Sequence, residues 1–60
     1  MFEVDDKVRM TANALRKYGK EYRFTTFIVM EKQKDNIFTV KTTSNVPLAF
    51  GIDEKDLMYA

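Results

Sequence analysis

The chain has 60 residues, of which 45% are hydrophobic and 13% aromatic, with a formal charge of +1 and neither Cys nor His. This is the composition of one globular domain, and it excludes disulfide staples, thiolate or imidazole metal sites, and the commonest general base and best nucleophile of enzyme chemistry. A domain of this length buries only about 60% of the surface its unfolded chain exposes, so its stability must come from close packing or from association.

In chain order, Val4, Val8 and Met10 share parity, as a strand with one buried face requires. Asp5-Asp6 interrupts them as a turn whose side chains can bond local amides, and Lys7 and Arg9 then point outward. Thr11 has the oxygen of a helix N-cap, and residues 12–18 follow with good helix formers. Leu15 and Tyr18, three apart, share the face expected to pack, and Gly19 is placed to end the helix with a left-handed residue. That helix is expected to lie as a lid on one mouth of a barrel.

Residues 20–23 read as a polar connection and 24–31 as the clearest strand. Its buried parity is open, because Phe27 and Val29 compete with Ile28 and Met30. Residues 32–36 form a turn and 37–43 the return strand, with Phe38 and Val40 on one face. Ser44-Asn45-Val46-Pro47 breaks the pattern, 48–50 read as a fourth short strand, and Gly51 ends it. Residues 53–56 read as a single helical turn with Leu57 buried after it, and 58–60 close the sheet beside the first strand. The expected core centres on Val8, Leu15, Val29, Val40 and Leu57, with the rings of Phe24, Phe27, Phe38, Phe50 and Tyr59 inside. Residues 1–60 make one domain, all-β apart from one short helix, and the expected fold is a small SH3-like barrel of about five strands.

The phrase Phe2-x-Val4-x-Asp6-x-Val8-Arg9, the short helix ending Ala14-Leu15-Arg16-Lys17-Tyr18-Gly19, the Thr/Val-rich hairpin and the closing Asp53-Glu54-x-Asp56-Leu57 resemble small SH3-like barrels. Among these the chain is similar to short proteins common in bacteriophages and prophages. It departs from the Tudor-like pattern in having Asp5 where a Gly usually precedes the turn Asp, and Thr25-Thr26-Phe27-Ile28 where Gly-Thr-Val is usual. The resemblance implies a fold, and carries no catalytic or binding residue.

Charge is unevenly spread. Between Lys7 and Arg23 stand six basic residues against the single acid Glu21, while acids gather at the two ends. The best candidate site is the basic stretch Arg16, Lys17, Tyr18, Lys20, Tyr22, Arg23 and Phe24, in which aromatic residues are interleaved: cations for phosphates, rings for bases. The opposing reading is a solvated helix face and loop. Asp53, Glu54 and Asp56 lack the spacing and turn glycine of a calcium loop and read as acids at a helix start, so no metal or cofactor is expected. The only Ser is Ser44, in a turn, and so small a barrel has little room for a dry pocket; no enzyme activity is expected. The absence of Trp disfavours grooves that recognise proline-rich peptides.

Met1-Phe2-Glu3-Val4-Asp5-Asp6 has neither the basic region nor the apolar run of a secretory signal, and the apolar cluster Phe27-Ile28-Val29-Met30 is far too short to cross a bilayer. The chain reads as cytoplasmic, without a membrane partner. The expected function is a non-enzymatic binding module, an accessory protein of a phage or mobile element acting on a protein partner. The alternatives are a nucleic-acid-binding module using residues 16–23, and a self-associating domain joined through surplus apolar residues such as Ile28, Met30 or Phe50.

Overall fold

A computed structural model describes residues 2–60. The chain opens in a turn built by its acids. The Glu3 amide donates to Asp6 Oδ2 at 2.8 Å, the Asp6 amide donates to the Glu3 carbonyl at 3.0 Å, and Asp5 takes a φ of 76°. A short polar side chain tolerates that left-handed backbone, so no glycine is needed there. The turn is stitched to the middle of the sheet, since Asp5 donates to Val29 and Val29 donates back to Asp6. This lifts Val4 out of the strand parity and leaves it 56% exposed, whereas Phe2 supplies the buried side chain instead.

Strand β1 (Lys7–Met10) alternates as its sequence requires, Val8 and Met10 inward, Lys7 and Arg9 outward. Helix α1 (Ala12–Tyr18) follows. Thr11 Oγ1 accepts the Ala14 amide at 3.2 Å, and the Thr11 amide donates to the Asp56 carbonyl, so the helix start is tied to the other end of the chain. The tie brings the helix close to the sheet. Ala14 is the side chain that fits fully inside, and Leu15, expected in the core, is only half-buried beside Tyr18. Gly19 ends the helix at φ 142°, ψ 135°, a mirror-extended backbone confined to glycine rather than the left-handed helical cap expected.

The central hairpin joins β2 (Phe27–Lys34) to β3 (Ile37–Thr42). Phe27 and Val29 face the core, which settles the open parity, and Met30 is 38% exposed. The register runs Val29 to Val40, then Glu31 to Thr39, then Lys32 to Phe38 and Lys34 to Ile37. Two bulges therefore extend and bend β2, so that it outruns the expected 24–31 strand at one end and the turn is only two residues long. Residues 24–26, expected in the strand, lie outside it.

Residues 48–50 do not form the expected strand. A single bridge from Lys41 to Pro47 holds this loop, and the fourth strand, β4 (Ile52–Asp53), comes after Gly51. A Cβ on Gly51 would stand 2.5 Å from Ile37 Cγ2, so glycine lets the chain pass over the hairpin. A 3₁₀ turn (Glu54–Asp56), capped by the Asp53 side chain, then delivers β5 (Leu57–Tyr59) beside β1.

The result is one five-stranded antiparallel sheet in the order β4-β3-β2-β1-β5. It is not closed into a barrel, because β4 and β5 are edge strands of two and three residues. It is nevertheless strongly curled. In a flat sheet β4 and β5 would lie four strand spacings apart, about 19 Å. The four steps of chain from Asp53 to Leu57 span at most about 14 Å. Extents of 24 × 23 × 20 Å agree with a curled sheet. Inside the curl lie Val8, Phe27, Val29, Phe38, Val40 and Ile52, each almost wholly buried, with Leu57 and Met10 beside them. Phe24, Phe50 and Tyr59, expected inside, are respectively 90%, 36% and 59% exposed. Phe24 precedes the strand that would have carried it inward. Phe50 lies flat on Tyr18 (centroids 4.9 Å apart, planes 14°), and Tyr59 packs against Phe2 at the open end.

Candidate functional site

The structure divides the basic stretch of the sequence into two parts with different partners. Arg16 and Lys17 belong to α1. Arg16 Nη1 donates to Asn13 Oδ1 one turn back, in solvent. Lys17 Nζ donates to Asp56 Oδ2 at 2.9 Å, and the Asp56 side chain is only 4% exposed. A buried carboxylate needs a cation or several donors. Lys17 is thus committed to clamping α1 onto the 3₁₀ turn. The Asp56 hydrogen bond holds the Lys17 ammonium above the ordinary lysine value of 10.5. Tyr22 leaves the candidate site for another reason: its ring is half-buried and packs 5.7 Å from Phe27, so it is not a free stacking face. Lys20 is exposed in a 3₁₀ turn (Lys20–Tyr22).

Arg23 lies elsewhere. Two successive turn hydrogen bonds, Arg23 to the Lys20 carbonyl and Thr25 to the Tyr22 carbonyl, fold the chain tightly before β2. They hold Phe24 outward, with the Arg23 guanidinium 5.7 Å from the ring centroid. That distance is within the range of a cation–π contact. Lys7 pairs with Ile28 and Val8 with Phe27, so continuing the register sets Thr26 opposite Arg9. Arg9, Arg23, Phe24, Thr25 and Thr26 line a depression of about 410 Å³ on the outer side of the sheet. No carboxylate lines it, and among the described residues neither guanidinium has an ion-pair partner.

Such a depression can bind an anion through two guanidinium forks and two hydroxyls, and it can stack a flat group on Phe24. Among the described residues no group of three or more carboxylates is arranged to hold a metal ion. No helix among them is long and apolar enough to cross a membrane. Of the residues named from sequence in that stretch, the depression gathers Arg23 and Phe24 and adds Arg9, Thr25 and Thr26. The outward parity of Arg9 was legible. Its proximity to Arg23 depends on where β2 begins, which the run of β-forming residues from Phe24 onward conceals.

No protein-family model matches the chain, and comparison with curated proteins and with solved structures yields no match. The chemistry of this surface is therefore the ground for a functional reading.

Proposed function

We propose that this chain is a small, non-enzymatic, cytoplasmic binding module that engages an anionic macromolecule through the depression formed by Arg9, Arg23, Phe24, Thr25 and Thr26. The observation that carries the reading is the pair of guanidinium groups that, among the described residues, have no carboxylate partner, beside a 90% exposed ring. An SH3-like architecture, as a partly open barrel, is supported by the curl of the sheet and by the 3₁₀ turn that returns β5 to β1. An accessory role in a phage or mobile element is supported by the resemblance of the opening and closing phrases. A protein partner, the first expectation from sequence, is supported by exposed Met58, which stands opposite Arg9 on β5 and widens the apolar rim.

The test is a titration of isotope-labelled protein with a panel of polyanions, read by amide chemical shifts. Perturbations are expected to cluster at Arg9 and at residues 23–26. Perturbations confined to α1 around Arg16 would transfer the site to the helix, and none at any polyanion would remove the reading.

A further inference from the structure

Five Phe and three Tyr make up the aromatic set, and seven of these eight rings lie against another ring. Among the described residues Phe24 alone has no aromatic partner, and the Arg23 guanidinium lies beside it. Its exposure is not the fraying of a loose loop, because the turn hydrogen bonds on either side hold it out. A preformed, solvent-facing ring next to unpaired cations is the arrangement that receives a planar group attached to an anion.

We infer that this depression docks a single-stranded nucleic acid, with a base stacked on Phe24 and the adjoining phosphates on Arg9 and Arg23. The inference rests on the anionic-partner reading and specifies its occupant. The cations beyond the depression continue the track. Lys7 projects from the same face of β1 as Arg9, two residues or about 7 Å away. Lys41 aligns with Lys7 across Ile28, through the pairings Lys7 to Ile28 and Ile28 to Lys41. Arg23, Arg9, Lys7 and Lys41 thus border one outer face, the side a backbone can follow from a base held on Phe24.

A duplex fits less well. Its bases are stacked on each other and offer no face to Phe24, and α1, seven residues long and clamped through Asp56, is not free to enter a groove. A polyglutamate-like peptide satisfies the guanidinium groups, but its carboxylates alone bring no aromatic face to stack on the ring.

The experiment is fluorescence anisotropy of the full chain with a labelled oligothymidylate and an oligouridylate of about 12 nucleotides, ample for a site of this type. A duplex of equal length and an oligoglutamate peptide are the comparisons. Four phosphate contacts predict a log–log salt slope of roughly −3, or about 50-fold weaker binding between roughly 50 and 200 mM salt. Phe24→Ala is expected to weaken binding by about 5- to 100-fold, the loss of one base stack, while Phe24→Tyr retains it. Arg9→Glu with Arg23→Glu is expected to abolish it. Because Phe24 is solvent-exposed, circular dichroism of Phe24→Ala should match the parent and separate lost contact from lost fold. Single-strand binding unchanged in Phe24→Ala would overturn the inference. So would oligoglutamate shifting the same amides while no oligonucleotide binds, which would leave the anionic-surface reading intact. If no polyanion perturbs these amides at low salt, both fall.

Discussion

Lys17 and Arg23 stand six residues apart in one basic run, and the fold gives them opposite duties. Lys17 meets a carboxylate that folding has removed from water, and its charge is consumed in holding α1 to the turn before β5. Among the described residues Arg23 meets a ring, beside a second arginine equally without a carboxylate. A run of like charges is therefore not one surface. What assigns each cation is the burial of whatever lies opposite, and that depends on residues far away in sequence: Asp56 for Lys17, Arg9 for Arg23. The clamp should respond to mutation in stability and the depression in binding.

The largest effect is expected at the clamp's foundation. Leu57 is 5% exposed and begins the strand that pairs with β1 directly after Asp56. Leu57→Ala is expected to cost about 2–5 kcal/mol, from lost transfer energy and the cavity left behind. In a domain of this size that lowers the thermal midpoint by more than about 8 °C. A midpoint within a few degrees of the parent would mean that the closing turn is not seated on the core, and the division between clamp and surface would lose its basis.

Much of this architecture is legible in the residues. The acidic turn at Asp5-Asp6, the Thr11 cap, the alternation in β1, the hairpin centred on Val29 and Val40, and the 3₁₀ turn leading to a buried Leu57 all follow from local rules. Local rules fail where one element's position depends on another's. Whether Leu15 or Ala14 enters the core depends on how closely Thr11 is drawn to Asp56. Whether Phe24 is core or surface depends on where β2 starts, and a run such as Phe24-Thr25-Thr26-Phe27 has strand propensity throughout. The second bulge in β2 leaves no mark in hydrophobic periodicity because Glu31 to Lys34 is polar at every position, and the first falls at Met30, where four consecutive apolar residues leave the parity ambiguous. Closure escapes local rules for a related reason: the short β4 and β5 lie at opposite edges of the sheet, and covalent chain rather than a ladder links them, so the expected closed barrel is an open sheet.

A smaller effect sharpens the comparison through pH. The Lys17 ammonium is held above its ordinary value of 10.5 by the Asp56 hydrogen bond. A raised folded-state pKa means that the contribution is complete below 10.5 and is lost as pH rises through the folded value. Lys17→Met is expected to lower the thermal midpoint at neutral pH, by less than Leu57→Ala does, since the ammonium is half-exposed and screened. The gap between parent and Lys17→Met should hold steady up to about pH 10 and narrow above it. A gap that stayed constant through strongly alkaline pH would show that the lysine acts by its packed stem and not by its charge.

The smallest effect on stability is expected where the effect on binding is largest. Arg9 and Phe24 are exposed, and Arg23 is exposed with no carboxylate to lose. Arg9→Glu, Arg23→Glu and Phe24→Ala should each change stability by no more than about 0.5 kcal/mol, the range of surface positions without a structural partner. The two charge reversals are expected to be neutral to favourable, because both guanidinium groups line one depression and like charges raise the free energy of the fold. Removing the Phe24 ring takes an apolar surface out of water that folding had not covered, and costs only its contact with Arg23. Chemical denaturation of the three variants, at equal ionic strength, measures this directly. A loss above 1 kcal/mol in Phe24→Ala would mean that the ring is part of the scaffold, as the neighbouring Tyr22 is, and that the contrast between a spent cation and a free one had been drawn in the wrong place.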